Sequence, residues 1–111
     1  MNLKTVVEKL GLKVFTTCPL KREATGGYSG DLLSDVMAHS REGAVWVTTQ
    51  NHPNVVAVGL LTGASAIILT GDQTPDHATL ERANLEGVPL FGTSKSGFQV
   101  TGELWELGLR P

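Results

Sequence analysis

Cysteine is almost absent from the 111-residue sequence, since Cys18 is the only one. A single thiol excludes an internal disulfide and any multi-cysteine metal or iron–sulfur site within one chain. The three histidines, His39, His52 and His77, fall on different predicted elements, and no two have the spacing of a metal-ligating pair. The sequence therefore predicts no metal site and no cofactor.

Charged residues are also few, and neither sign dominates. The chain has nine lysines and arginines and eleven acidic residues, which gives a net charge of −2. The sequence therefore has no basic patch to attract nucleic acid. No charged residue occurs between Glu42 and Asp72, but the polar stretch 62–65 interrupts that apolar segment. A spanning helix needs about 20 apolar residues, and the N-terminus lacks the apolar stretch of a signal peptide. We therefore expect a cytoplasmic protein that binds neither nucleic acid nor membrane.

The residues that are present alternate between helical and strand-like patterns. Their number fits a single domain over residues 1–111. From residue 44 onward the strand-like runs are continuously apolar, which is typical of parallel strands buried on both faces. We predict an α/β fold, a small and mostly parallel sheet flanked by helices. The predicted helices are 3–10, 31–39, 53–62, 75–86 and 97–107, and the predicted strands are 12–16, 24–29, 44–49, 65–70 and 88–93.

The helix predicted over residues 53–62 has no polar face, and such a helix is expected to be buried on all sides. One side can pack on the sheet. The other side needs a cover, which is either a second subunit or the terminal helices of the same chain. We expect a homodimer whose interface includes Val55 and Val58. Gly26 and Gly27 permit positive φ angles or a close backbone approach, which can be to another strand, to a second subunit or to a ligand. We assign both glycines to the interface.

Small polar residues follow three of the predicted strands, and each group leads into a helix. In α/β sheets, ligands bind beyond the carboxyl ends of the strands, where helix N-termini attract anions. Helix capping is the alternative explanation, as in the stretch Thr74-Pro75-Asp76. We predict that these loops bind an anionic small molecule, a nucleotide or a phosphorylated metabolite, with Lys95 as the counter-charge. The predicted site residues are Thr48, Thr49, Gln50, Asn51, His52, Thr70, Gly71, Thr93, Ser94 and Lys95.

No catalytic group stands out in the sequence. Cys18 precedes a proline in a loop without a recognised nucleophile signature. The carboxylates of Asp31, Asp35, Asp72 and Asp76 are not spaced so that two would share one site. A small enzyme that uses His52 with a neighbouring threonine or aspartate is therefore the least favoured hypothesis.

Residues 22–37 resemble the signature stretch of the DRTGG domain family, with Arg22-Glu23-Ala24-Thr25-Gly26-Gly27 at its start. Residues 45–58, 66–71 and 87–90 also resemble the stand-alone form of this family. The chain has Lys21 where the family pattern has an aspartate. The second half is similar to the amino-terminal domain of HPr kinase/phosphorylase.

The resemblance implies a small α/β fold of the kind found at the amino terminus of HPr kinase and of some Mur ligases. It also implies a regulatory role, because such domains accompany cystathionine-β-synthase (CBS) domains in regulated pyrophosphatases and carry no known catalytic residues. We therefore expect a dimeric, non-catalytic module that senses a nucleotide or other anionic ligand. The alternative is a protein-interaction subunit without a ligand, belonging to a larger metabolic or redox assembly.

Overall fold

The computed structural model describes residues 1–111 as a five-stranded sheet between two layers of helices. In chain order, the elements are α1 (Leu3–Leu10), β1 (Lys13–Val14), β2 (Gly26–Ser29), α2 (Leu33–His39), β3 (Ala44–Thr48), α3 (Pro53–Thr62), β4 (Ala66–Leu69), α4 (His77–Glu86), β5 (Leu90–Gly92) and α5 (Gly97–Leu107). The predicted α/β class is confirmed. None of the five helices has the length and apolarity that crossing a membrane requires.

The strand order is β1-β5-β4-β3-β2, and only β1 runs antiparallel to its neighbour. One core cluster joins α1 and α5 to one face of the sheet, around Val45, Val47, Ile68 and Phe91. A second cluster joins the other face, around Trp46, to α2, α3 and α4. Each apolar strand is thus buried on both faces, and the carboxyl ends of β2 to β5 meet at one edge.

Local capping signals set most helix boundaries. Helix α3 begins at Pro53, where the missing amide of proline is tolerated, and ends before Gly63, whose φ of 70° closes the helix. Helix α4 begins two residues later than predicted, because the Asp76 carboxylate accepts the Thr79 amide and caps the helix. Helix α2 also begins two residues later than predicted, at Leu33, because the Asp31 carboxylate accepts hydrogen bonds from Thr48 and Thr49 outside the helix.

The expected interface residues are covered by the chain itself. Val55 and Val58 on α3 are 0% and 5% exposed within the core against the sheet, α2 and α4, so they are not free to face a second subunit. The apolar residues of α3 that reach the surface are Leu60 and Leu61. The apolar composition of α3 therefore reflects burial by its own neighbours over most of its surface.

Gly26 and Gly27 contact the C-terminal residues of the same chain. A Cβ atom on Gly26 would lie 2.5 Å from the carbonyl oxygen of Arg110, and the Gly27 amide donates to that oxygen over 3.2 Å. Neither glycine has a positive φ. The close approach that the glycine pair permits is thus to Arg110, and their assignment to a subunit interface stays a prediction.

Candidate functional site at the carboxyl edge of the sheet

The three predicted loops do lie at the carboxyl edge of the sheet, but they line two separate cavities. The carboxyl-edge cavity, of about 240 Å³, is formed by the ends of β2, β3 and β4 and the start of α5. Its residues are Ser29, Gly30, Asp31, Val47, Thr48, Thr49, Thr70 and Gly97. The β5 cavity, of about 300 Å³, lies on the β1 side and shares no residue with it. The expectation of one site built from all three loops is corrected accordingly.

Asp31 organises one wall of the carboxyl-edge cavity. Its Oδ1 atom accepts a hydrogen bond from the Thr48 hydroxyl at 2.7 Å and another from the Thr49 amide at 2.8 Å. The backbone carbonyl of Asp31 accepts from the Gln50 side chain at 3.1 Å. These bonds tie the end of β2 to the loop after β3, and none of them uses Oδ2.

The same contacts keep the Asp31 carboxylate ionised. Partial burial favours its neutral form, but the hydrogen bonds from Thr49 and Thr48 favour the charged form, and the net effect lowers the pKa of Asp31 below its usual value. The cavity therefore presents a negatively charged hydrogen-bond acceptor. A bare anion would be repelled from this wall, so a ligand must bring a donor to it.

Thr70 and the first turn of α5 form the opposite wall. Thr70 borders the cavity, and its hydroxyl is not one of the buried side-chain oxygens without a partner, which belong to Ser40, Ser65 and Glu103. A Cβ on Gly97 would lie 3.7 Å from the Thr70 Oγ1 atom, so this hydroxyl lies beside the N-terminus of α5. Ser96 caps that helix by accepting the Gln99 amide, and the first amides of a helix have no partner within it. This wall is suited to a negatively charged group.

Gln50, Asn51 and His52 hold the loops in place. The Asn51 side chain donates to Gln73 at 2.9 Å, which links the loops after β3 and β4. His52 Nδ1 accepts the Asn54 amide at 3.4 Å and caps α3. None of the three lines either of the two cavities.

Lys95 is engaged inside the protein. Its amine donates to the Leu10 carbonyl at 2.9 Å and to Glu103 at 2.8 Å, which joins the end of α1 to α5. It lines the β5 cavity with Thr93 and Ser94. Gly71, with a φ of 67°, donates its amide to the Lys95 carbonyl and turns the chain between the two cavities. The Lys95 charge is thus balanced by Glu103 and lies outside the carboxyl-edge cavity.

Five lining residues were missing from the residues predicted from the sequence: Ser29, Gly30, Asp31, Val47 and Gly97. The rule that parallel strands end at one edge would have found the first three had it been applied to β2. Only the strands from residue 44 onward had the continuous apolar runs that marked them as parallel. Gly27 and Tyr28 are half-buried and Ser29 is exposed, because β2 is an edge strand.

Two comparisons with known proteins give matches. The DRTGG domain matches residues 20–107 of the chain. The fold is similar to a crystal structure of the CBS and DRTGG domains of the regulatory region of Clostridium perfringens pyrophosphatase, complexed with the activator diadenosine tetraphosphate. The TM-score is 0.72 at 16% identity, over 93% of this chain but 45% of that one, so this chain spans less than half its length.

A search of curated proteins finds no match. The structural similarity, at that low identity, establishes the fold. The domain match covers most of the chain and includes the glycine pair and the end of β2, on which the candidate site depends. The chain therefore belongs to the DRTGG domain family.

Proposed function

We propose that this domain is a non-catalytic regulatory module of the cytoplasm that senses a nucleotide in the carboxyl-edge cavity. The observation that carries the proposal is the meeting of two kinds of group in one cavity, the ionised Asp31 carboxylate and the Thr70 hydroxyl beside the N-terminus of α5. The Thr70 hydroxyl borders the cavity, so it can donate to a ligand oxygen there.

The two walls define the chemical class of the ligand. The Oδ2 atom of Asp31 accepts a hydrogen bond from a hydroxyl, whereas Thr70 and the amides at the start of α5 donate to a phosphate. A ribonucleotide carries both groups, with its ribose hydroxyls directed at Asp31 and its phosphate at Gly97. The regulatory region of the clostridial pyrophosphatase is complexed with a nucleotide activator, which supports this ligand class.

The proposal includes a homodimer that transmits the bound state. Val55 and Val58 are buried, so the apolar contacts available on the same side of the sheet include Leu60 and Leu61 of α3 and Leu85 of α4, which is 82% exposed. Exposed leucines on neighbouring helices favour association with another surface. Sedimentation velocity of the wild-type protein and of Leu61→Glu tests this part, because a dimer through this face becomes monomeric in the variant.

Thermal unfolding with a panel of adenine and guanine nucleotides tests the ligand. A nucleotide at about 100 times its dissociation constant adds about 2.7 kcal/mol, which raises the unfolding midpoint by several degrees in a domain of this size. Thr70→Val should weaken binding at least tenfold with little effect on the stability of the apo protein, because valine has nearly the shape of threonine and the hydroxyl borders the cavity. Ser94→Ala removes an exposed hydroxyl outside the cavity and is the matched control.

The ribose contact has its own test. A 2′,3′-dideoxynucleotide should bind the wild-type protein more weakly than the ribonucleotide, whereas Asp31→Asn should bind the two with similar affinity. The proposal is wrong if no nucleotide stabilises the protein, or if Thr70→Val and Ser94→Ala bind equally well.

A further inference from the structure

Strand β2 ends the sheet, and its outer edge is largely unpaired. Gly30 donates its amide to Val47 on the inner side, and the bond from the Gly27 amide to Arg110 is the one backbone hydrogen bond that β2 makes on its outer side. Backbone groups point to alternate sides along a strand, so the amide of Ser29 also faces outward. Ser29 is exposed. An open strand edge of this kind is a template for pairing with another chain.

Two cavities flank this edge on opposite sides. An apolar cavity of about 180 Å³ lies between β2 and α5, where Leu104, Trp105 and Leu109 surround the backbone of Ser29. A larger polar cavity, of about 370 Å³, lies toward the end of α2, with His39, Arg41 and Glu42 on its wall. Side chains of a strand point alternately to the two faces of a sheet. A strand added here would therefore direct successive side chains into chemically different surroundings.

The edge carries two arginines that pair with no carboxylate. Arg41 forms no ion pair, while the neighbouring Glu42 already pairs with Arg22 at 3.7 Å. Arg110 stacks on the ring of Trp105 at 4.1 Å and contacts no carboxylate. Two arginines without an acidic partner are complementary to a negatively charged segment.

We propose that the outer edge of β2 binds an extended segment of a partner protein in which acidic and apolar residues alternate. The main chain of the segment pairs with Ser29, an apolar side chain enters the cavity beside Trp105, and acidic side chains contact Arg41 and Arg110. This is strand addition, in which main-chain bonds give affinity and alternate pockets give specificity. A second copy fits less well, because two-fold pairing of β2 would bring the same arginines of both copies together.

Selection from a phage-displayed library of random octapeptides tests the proposal. The expected result is enrichment of peptides with alternating acidic and apolar residues. Their binding should be lost in Ser29→Pro, which removes an outward amide while β2 keeps its bonds to β3, and kept in Ser29→Ala. Arg41→Glu should weaken binding at least tenfold. Arg82→Glu, on the exposed face of α4, is the matched charge control.

Each other outcome overturns the proposal. Enriched peptides without the alternation, or no enrichment, would refute the partner chemistry. Equal binding by Ser29→Pro and Ser29→Ala would refute strand addition, with urea unfolding to confirm that both variants are folded. If Ser29→Pro instead converts a wild-type dimer into a monomer, the occupant is a second copy and the proposed partner is wrong. If Ser29→Pro fails to fold, the Arg41→Glu variant still tests the proposal, which is wrong if Arg41→Glu and Arg82→Glu bind the peptides equally well.

Discussion

Replacing Gly26 or Gly27 by alanine adds the same methyl group at adjacent positions of β2, with opposite expected results. On Gly26 the new carbon would lie 2.5 Å from the carbonyl oxygen of Arg110, whereas on Gly27 its nearest neighbour would be the Val45 oxygen at 3.8 Å. The first distance is far inside van der Waals contact and the second is ordinary. The pair is therefore a matched test of the close approach between β2 and the C-terminal residues.

The magnitudes follow from the contacts. Alanine at a compatible position stabilises a protein by about 0.4–1 kcal/mol relative to glycine, because the unfolded chain loses freedom, and this is the expectation for Gly27→Ala. Gly26→Ala must displace Arg110 and lose its bond to the Gly27 amide, which contributes about 0.5–1.5 kcal/mol. Overpacking adds about 1–3 kcal/mol. After subtraction of the gain from alanine, we expect Gly26→Ala to be destabilising by roughly 0.5–4 kcal/mol in total.

Urea unfolding of both variants measures these differences, and deletion of residues 110–111 provides the decisive comparison. In the truncated chain the obstacle is gone, so Gly26→Ala should become neutral or stabilising there, a non-additive result for two positions in contact. If Gly26→Ala destabilises the full and truncated chains equally, the cost does not arise from Arg110 and the reasoning is refuted. Equal stability of the Gly26→Ala and Gly27→Ala variants would refute it as well.

Two further predictions concern charged side chains. Hydrogen bonds from Thr79 lower the pKa of Asp76, so its capping contribution is complete at neutral pH and is lost as the pH falls below 3.8 through the lowered folded-state value. The unfolding midpoint of Asp76→Ala should thus be lower than that of the wild type at neutral pH, with the gap closing in acid; a constant gap would contradict the capping role. Lys95→Met should cost on the order of 1–3 kcal/mol in urea unfolding, because Glu103, one of whose oxygens is already buried without a partner, loses its counter-charge. Lys95→Met/Glu103→Leu should recover part of this loss, and no recovery would show that the pair does not interact.

Local signals in the sequence were sufficient for most elements of the fold. Helix α3 was predicted with its observed bounds, because Pro53 favours a helix start and Gly63 supplies the left-handed closing residue. The continuously apolar runs from residue 44 indicated parallel strands covered on both faces, which the sheet confirms. Strand β1 was predicted at five residues and has two, because its length depends on pairing with β5 rather than on its own residues.

The site was predicted only as a region of the sheet. Thr48, Thr49 and Thr70 were placed at the correct edge because parallel strands share the direction of their ends. Thr93 and Lys95 line a different cavity from these threonines. This separation depends on how α5 and the loops between β4 and α5 pack, which no local pattern specifies.

Residue patterns alone were sufficient to identify the helices and strands, the parallel arrangement of β3, β4 and β5, and the edge that carries the polar loops. These properties follow from residue periodicity and capping, which act over a few neighbouring residues. Three contacts could be read only from the folded chain: Lys95 pairs with Glu103 and the end of α1, Asp31 accepts from Thr48, and Arg110 lies against Gly26. Each of these contacts joins different elements of the fold, so it depends on where the helices cross the sheet.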